Sequence, residues 1–92
     1  MNESMDRPAI RALVIEALHR ATGLLNEPAF AGLRGDATRD LAFADIELDS
    51  LSILEVLMEL EDATGVELDP DLVPELGTLD RLVDHIEALR GR

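Results

Sequence analysis

Ser50 is the residue whose type and setting most readily support chemistry. It follows Asp49 and opens fifteen residues, Ser50 to Thr64, that contain no Gly, Pro, Lys or Arg. Asp49 and Ser50 are both helix-capping types, and the apolar run behind them predicts a helix that starts here and stops at Gly65. The Ser50 hydroxyl then stands on the first turn, at the positive end of the helix dipole. A reachable hydroxyl in that place suits covalent attachment of a group by another enzyme. Catalysis by the chain itself needs a base and an orienting group beside the serine. The only imidazoles are His19 and His85, neither in a recognisable motif, and Gly-x-Ser-x-Gly is absent. No catalytic residue is therefore assigned. Asp45, Glu47 and Asp49 alternate as in a calcium loop, but Ser50 stands where that loop needs Gly, and Val56 where it needs Glu. No specific metal site follows, only diffuse attraction of divalent ions. The absence of cysteine excludes disulfides and thiolate ligands.

The charge is concentrated around this serine. Twelve of the twenty acids lie between Asp45 and Asp80, a stretch without Lys or Arg, whereas eight acids balance eight arginines in the flanks. The whole net charge of −12 thus belongs to the middle of the chain. Such a field favours basic partners and repels nucleic acid and anionic membranes. Phe30 and Phe43 are the only aromatics, too few for a base-stacking platform.

The helix that carries Ser50 divides into faces. Ser52, Glu55, Glu59 and Asp62 recur at spacings of three and four and form one exposed stripe. Its three acids have no basic partner, so they repel one another without structural return, which favours a binding role. Ile53, Leu54, Leu57 and Leu60, with Leu51, are assigned to the buried side, and Val56 and Met58 lie between the faces.

Other elements must position this helix. Asp6 or Arg7 caps a first helix with Pro8 in its opening turn. Its stripe is Ile10, Leu13, Val14, Ala17, Leu18 and Ala21, and Gly23 ends it. His19 borders that stripe and is assigned to the boundary. From Leu24 to Leu48 the periodicity dissolves, yet Leu24, Leu25, Phe30, Leu33, Leu41, Phe43 and Ile46 give the segment something to bury. A structured loop is expected, with turns around Pro28–Leu33 and Thr38–Phe43. After an extended Val66–Leu68, Asp69-Pro70 opens a third helix that Pro74 limits to about one turn or a 3₁₀ form. Thr78 caps the last helix, Asp80 lies in its first turn, and Leu79, Leu82, Val83, Ile86 and Leu89 form its stripe up to Gly91. His85 lies off that stripe and is expected to be partly exposed. The predicted fold is all-α: a small antiparallel-type four-helix bundle with three longer helices, a short third helix and a long loop between the first and second. It forms one domain, 1–92, with a disordered start of about residues 1–6, no targeting pattern and no membrane span. A cytoplasmic monomer is the expectation.

Asp49-Ser50-Leu51, with Ile53 to Glu61 behind it, resembles the Asp-Ser-Leu motif and second helix of acyl carrier proteins. The resemblance is dense from about Phe43 to Leu68 and looser to Leu89. It implies a freestanding carrier whose Ser50 holds 4′-phosphopantetheine derived from coenzyme A, with Asp49 and Leu51 completing the attachment motif. Acyl groups would ride on the arm as thioesters. It also implies a partner-recognition surface made by Glu47, Glu55, Met58, Glu59, Glu61 and Asp62, read by basic patches on a phosphopantetheinyl transferase and on acyl-loading and acyl-transfer enzymes. Met58 has two open uses, partner contact or core filler. One departure stands inside the motif. Many family members have Gly at the place of Glu47, and a positive φ there would strain Glu. The expected function is an acyl carrier, not an enzyme, serving fatty-acid, polyketide or other specialised acyl metabolism. The alternatives are an aminoacyl, D-alanyl or peptidyl carrier, and a non-covalent acidic interaction module in which Ser50 only caps a helix.

Overall fold

Helix starts and stops fall where the capping residues put them. A computed structural model of the chain describes residues 5–91, and four helices organise it: α1 (Arg7–Thr22), α2 (Ser50–Thr64), α3 (Leu72–Leu76) and α4 (Leu79–Arg90). Asp6 caps α1 by accepting from the Ala9 amide at 3.2 Å. Gly23 and Gly65 close α1 and α2 with φ of 74° and 76°, a left-handed conformation that glycine adopts without a Cβ penalty. The α3 helix begins two residues later than Pro70, because Pro70 and Asp71 form the turn before it. Pro74 is its third residue, where the missing N–H costs little. The disordered start assigned to residues 1–6 falls mainly outside the described residues; of its last two, Met5 packs partly buried against the core and Asp6 is the α1 cap.

The core is aliphatic apart from Phe43. Ile10, Val14, Ile15 and Leu18 of α1 meet Val56, Leu57 and Leu60 of α2 and Leu79, Leu82, Val83 and Ile86 of α4, with α1 packed against both other helices. In α2 the buried stripe is rotated from the one expected. Val56 is buried and Ile53 half-buried, while Leu54 is 46% and Leu51 66% exposed. At 100° per residue, Ile53, Val56, Leu57, Leu60 and Thr64 share one narrow sector, and Leu51, Leu54 and Met58 share the next. The helix has more apolar positions than one face can hold, and packing on α1 selects the first set.

The long loop is built from short 3₁₀ turns, Leu24–Asn26, Pro28–Phe30, Leu33–Gly35 and Phe43–Asp45. The turn expected at Pro28–Leu33 is thus split in two, and the one expected at Thr38–Phe43 resolves into an Asp36-centred turn, where Asp36 accepts from the Thr38 amide, and the 3₁₀ turn at Phe43. His19 accepts the Leu25 amide on Nδ1 at 3.2 Å, which pins the start of the loop to α1. Farther along, Arg39 lies over the Phe30 ring, 5.8 Å from its centre. Arg11 does the most. Only 7% exposed, its guanidinium donates to the carbonyls of Leu33 (3.3 Å), Asp36 (2.9 Å) and Arg39 (2.7 Å).

The end of the loop is stitched to α4. Phe43 N donates to Gly77 O and Leu79 N to Leu41 O, both at 2.8 Å, forming an isolated antiparallel bridge between Ala42 and Thr78. Asp40 Oδ1 accepts the Asp80 amide at 2.8 Å, and the Thr78 hydroxyl accepts that of Arg81 at 3.2 Å. The first three amides of α4 are thereby all satisfied, two of them by the loop. Asp40→Ala is expected to lower stability by about 1 kcal/mol, the usual worth of a helix cap, which for a domain of this size lowers the melting temperature by roughly 5 °C. A thermal melt superimposable on the wild type would show that water replaces the carboxylate without loss.

Candidate functional site

The segment that delivers Ser50 alternates between inside and outside. Ile46 and Leu48 are half-buried, and Glu47 and Asp49 are exposed. Extended backbone at Ile46 and Asp49 brackets it, and no described residue other than glycine has a positive φ. Glu47 therefore occupies its place without the strain that the replacement of Gly raised.

Asp49 is the N-cap of α2, with Oδ1 accepting the Ser52 amide at 2.8 Å. That backbone hydrogen bond holds its carboxyl below the ordinary carboxylate range. The sign follows from linkage: the cap stabilises α2 above the ordinary pKa and is lost as pH falls through the lowered one. Ser50 is consequently the first helical residue and not the cap, which corrects the reading in which capping is its whole role. It is exposed, and among the described residues its Oγ makes no hydrogen bond. One apolar groove reaches it and a second adjoins the first. One, about 310 Å³, is lined by Ser50, Ile53, Leu54, Pro70, Asp71 and Pro74. The other, about 260 Å³, lies among Phe43, Ala44, Leu48, Ile53, Val73 and Gly77 and meets the first at Ile53 and Pro74.

The acids assigned to recognition divide into two groups. Glu47, Glu55 and Asp62 are exposed, and Met58, 65% exposed, is no core filler. Glu59 and Glu61 are each engaged within the chain. Glu59 is paired with Arg20 of α1 at 3.0 Å, so the stripe does have a basic partner, supplied by another helix. Glu61 accepts the Leu68 amide at 2.8 Å and ties the α2–α3 connector to α2. Ser52 is half-buried. Sequence reasoning missed that Leu51 and Leu54 join Met58 in an exposed apolar strip bordered by Glu55 and Asp62. The available signal was the surplus of apolar positions on α2. His19 is spent on the loop, and His85 is partly exposed on α4.

Among the described residues no three His, Cys, Asp or Glu side chains are placed to hold a metal ion. Diffuse binding still follows from the clustered charge, so millimolar Mg²⁺ or Ca²⁺ is expected to raise the melting temperature by relieving repulsion. A melting point indifferent to both ions would mean that the acids are too dispersed to repel appreciably.

A family described as "Phosphopantetheine attachment site" matches residues 8–86. The chain is 28% identical over 89 residues to acyl carrier protein 1, chloroplastic, of Spinacia oleracea, covering 97% of this chain and 64% of that protein. It is likewise 28% identical over 89 residues to the acyl carrier protein of Tropheryma whipplei strain Twist, covering 96% of this chain and 99% of that one. With the acyl carrier protein of Lactobacillus johnsonii it shares 31% identity over 74 residues, 79% of this chain and 91% of that protein. No solved structure matches. The match to a phosphopantetheine attachment family over most of a small helical chain defines a carrier that receives a covalent prosthetic arm. The chain belongs to the phosphopantetheine attachment family and, within it, to the acyl carrier proteins. It is a carrier and not an enzyme, and its cofactor is covalently bound 4′-phosphopantetheine. No helix among the described residues is long and apolar enough to cross a membrane.

Proposed function

We propose that Ser50 Oγ is the point of attachment, with Asp49 and Leu51 completing the motif. The observation that carries this is the separation of two roles on adjacent residues. Asp49 does the capping, which leaves the Ser50 hydroxyl exposed and unbonded at the helix N-terminus. A phosphodiester there lies where the helix dipole favours negative charge. A transferase would form the Oγ–phosphorus bond and release adenosine 3′,5′-bisphosphate from coenzyme A. The arm supplies a thiol that holds acyl groups as thioesters, at the high effective concentration of a tether. The chain contributes the anchor, the docking surface and shelter for cargo. Docking falls to Glu47, Glu55, Met58 and Asp62, joined by Leu51 and Leu54, with Glu59 and Glu61 at its edges. Short or medium acyl chains fold back into the two grooves that meet at Ile53 and Pro74, whose largely aliphatic walls can yield to a guest.

Fatty-acid, polyketide or specialised acyl metabolism is the proposed setting, in the cytoplasm and as a monomer. The test is intact mass after incubation with coenzyme A and a broad-specificity phosphopantetheinyl transferase, followed by peptide mapping. A gain of one phosphopantetheine on the peptide containing Ser50 is expected. An arm mapped to another hydroxyl would remove the assignment, and loading by an amino-acid-adenylating enzyme alone would move the cargo to the aminoacyl class.

A further inference from the structure

Glu59 is the one acid of α2 that faces a cation of its own chain among the described residues. Arg20, in the last turn of α1, brings Nη2 to 3.0 Å from Glu59 Oε2. Glu55 and Asp62 are exposed and make no ion pair among the described residues. Helical geometry explains the difference. At 100° per residue, passing around α2 from Leu54 through Met58 and Leu51, one meets Asp62, then Glu55, and last Glu59. Glu59 therefore lies at the outer edge of the acidic sector, within reach of α1.

We infer that Arg20 is a specificity-determining residue that screens Glu59 and confines the charge that α2 offers to a basic partner to Glu55 and Asp62. This rests on the reading of α2 as the docking surface. Those two acids border the exposed strip of Leu51, Leu54 and Met58, so a cation that meets them also brings apolar surface onto that strip. A partner that places its cation on Glu59 must first displace Arg20. An exposed ion pair is weak, so the discrimination is graded: about three-fold in apparent affinity, the size of a typical exposed pair.

The test measures kcat/KM for phosphopantetheinyl transfer at low salt, with the carrier as the varied substrate. The variants are Arg20→Ala, Glu59→Gln, their combination, and Arg81→Ala, which removes the same charge from α4. Arg20→Ala is expected to raise kcat/KM about three-fold more than Arg81→Ala does, through KM, with kcat and melting temperature little changed. Adding Glu59→Gln should erase that excess, and high salt should shrink it. An Arg20→Ala effect no larger than that of Arg81→Ala would reduce Arg20 to a share of the net charge. An excess that survives Glu59→Gln would overturn the pairing as its cause. A wild-type chain that accepts no arm would instead overturn the docking reading itself, and the inference with it.

Discussion

Ser50→Ala is expected to abolish arm attachment completely while leaving the fold unchanged. The two halves of this result have separate causes. Attachment requires an oxygen at that position, and alanine has none. Stability does not require it, because Ser50 is exposed at the first position of α2 and the capping bond belongs to Asp49. Alanine is also the better helix former, so the change in stability should stay within about 0.5 kcal/mol. Asp49→Ala makes the opposite pair. It leaves the hydroxyl in place but strips the Ser52 amide of its acceptor, so stability falls. Intact mass after transferase treatment, with urea unfolding of both variants, separates the roles. Any arm acquired by Ser50→Ala would refute the assignment, and marked destabilisation by that substitution would mean that the hydroxyl has a structural task.

The second large effect is expected at Arg11. Its guanidinium is buried without a carboxylate partner among the described residues and is held by three loop carbonyls. Arg11→Met keeps much of the apolar stem and removes every donor. Hydrogen bonds from a charged group are each worth more than neutral ones, but removal also relieves the cost of burying the charge and of Nε, which has no partner. A net loss of about 3 kcal/mol is expected, corresponding to a fall in melting temperature of roughly 15 °C. Arg11→Lys should recover only part of this, since a single ammonium cannot reproduce the planar fork that reaches three carbonyls. Urea unfolding would measure both. A methionine variant as stable as the wild type would mean that the loop is held by Leu24, Leu33, Leu41 and Phe43 alone.

The proposed attachment residue was legible because its setting is local. An Asp-Ser pair before an apolar run specifies a helix start, and Gly65 specifies its stop, within one turn of chain at each end. The three longer helices and their caps could be placed for the same reason, and the charge around Ser50 needs only counting. The loop was less legible. Its apolar residues announced that it would be buried, but not that Arg11 would go inside with them, because in sequence an arginine of an amphipathic helix looks like a solvated one.

The sequence by itself determined the boundaries of the three longer helices, the one-signed middle of the chain and the exposed serine at a helix start, since capping and periodicity act over three or four residues. Tertiary structure alone decided two things. It chose which apolar sector of α2 faces α1, leaving Leu51, Leu54 and Met58 outside. It paired Glu59 with Arg20 and Asp40 with the start of α4, contacts between residues 39 and 40 positions apart in the chain. Each choice depends on which surfaces meet in space, and no local pattern contains the positions of its distant neighbours.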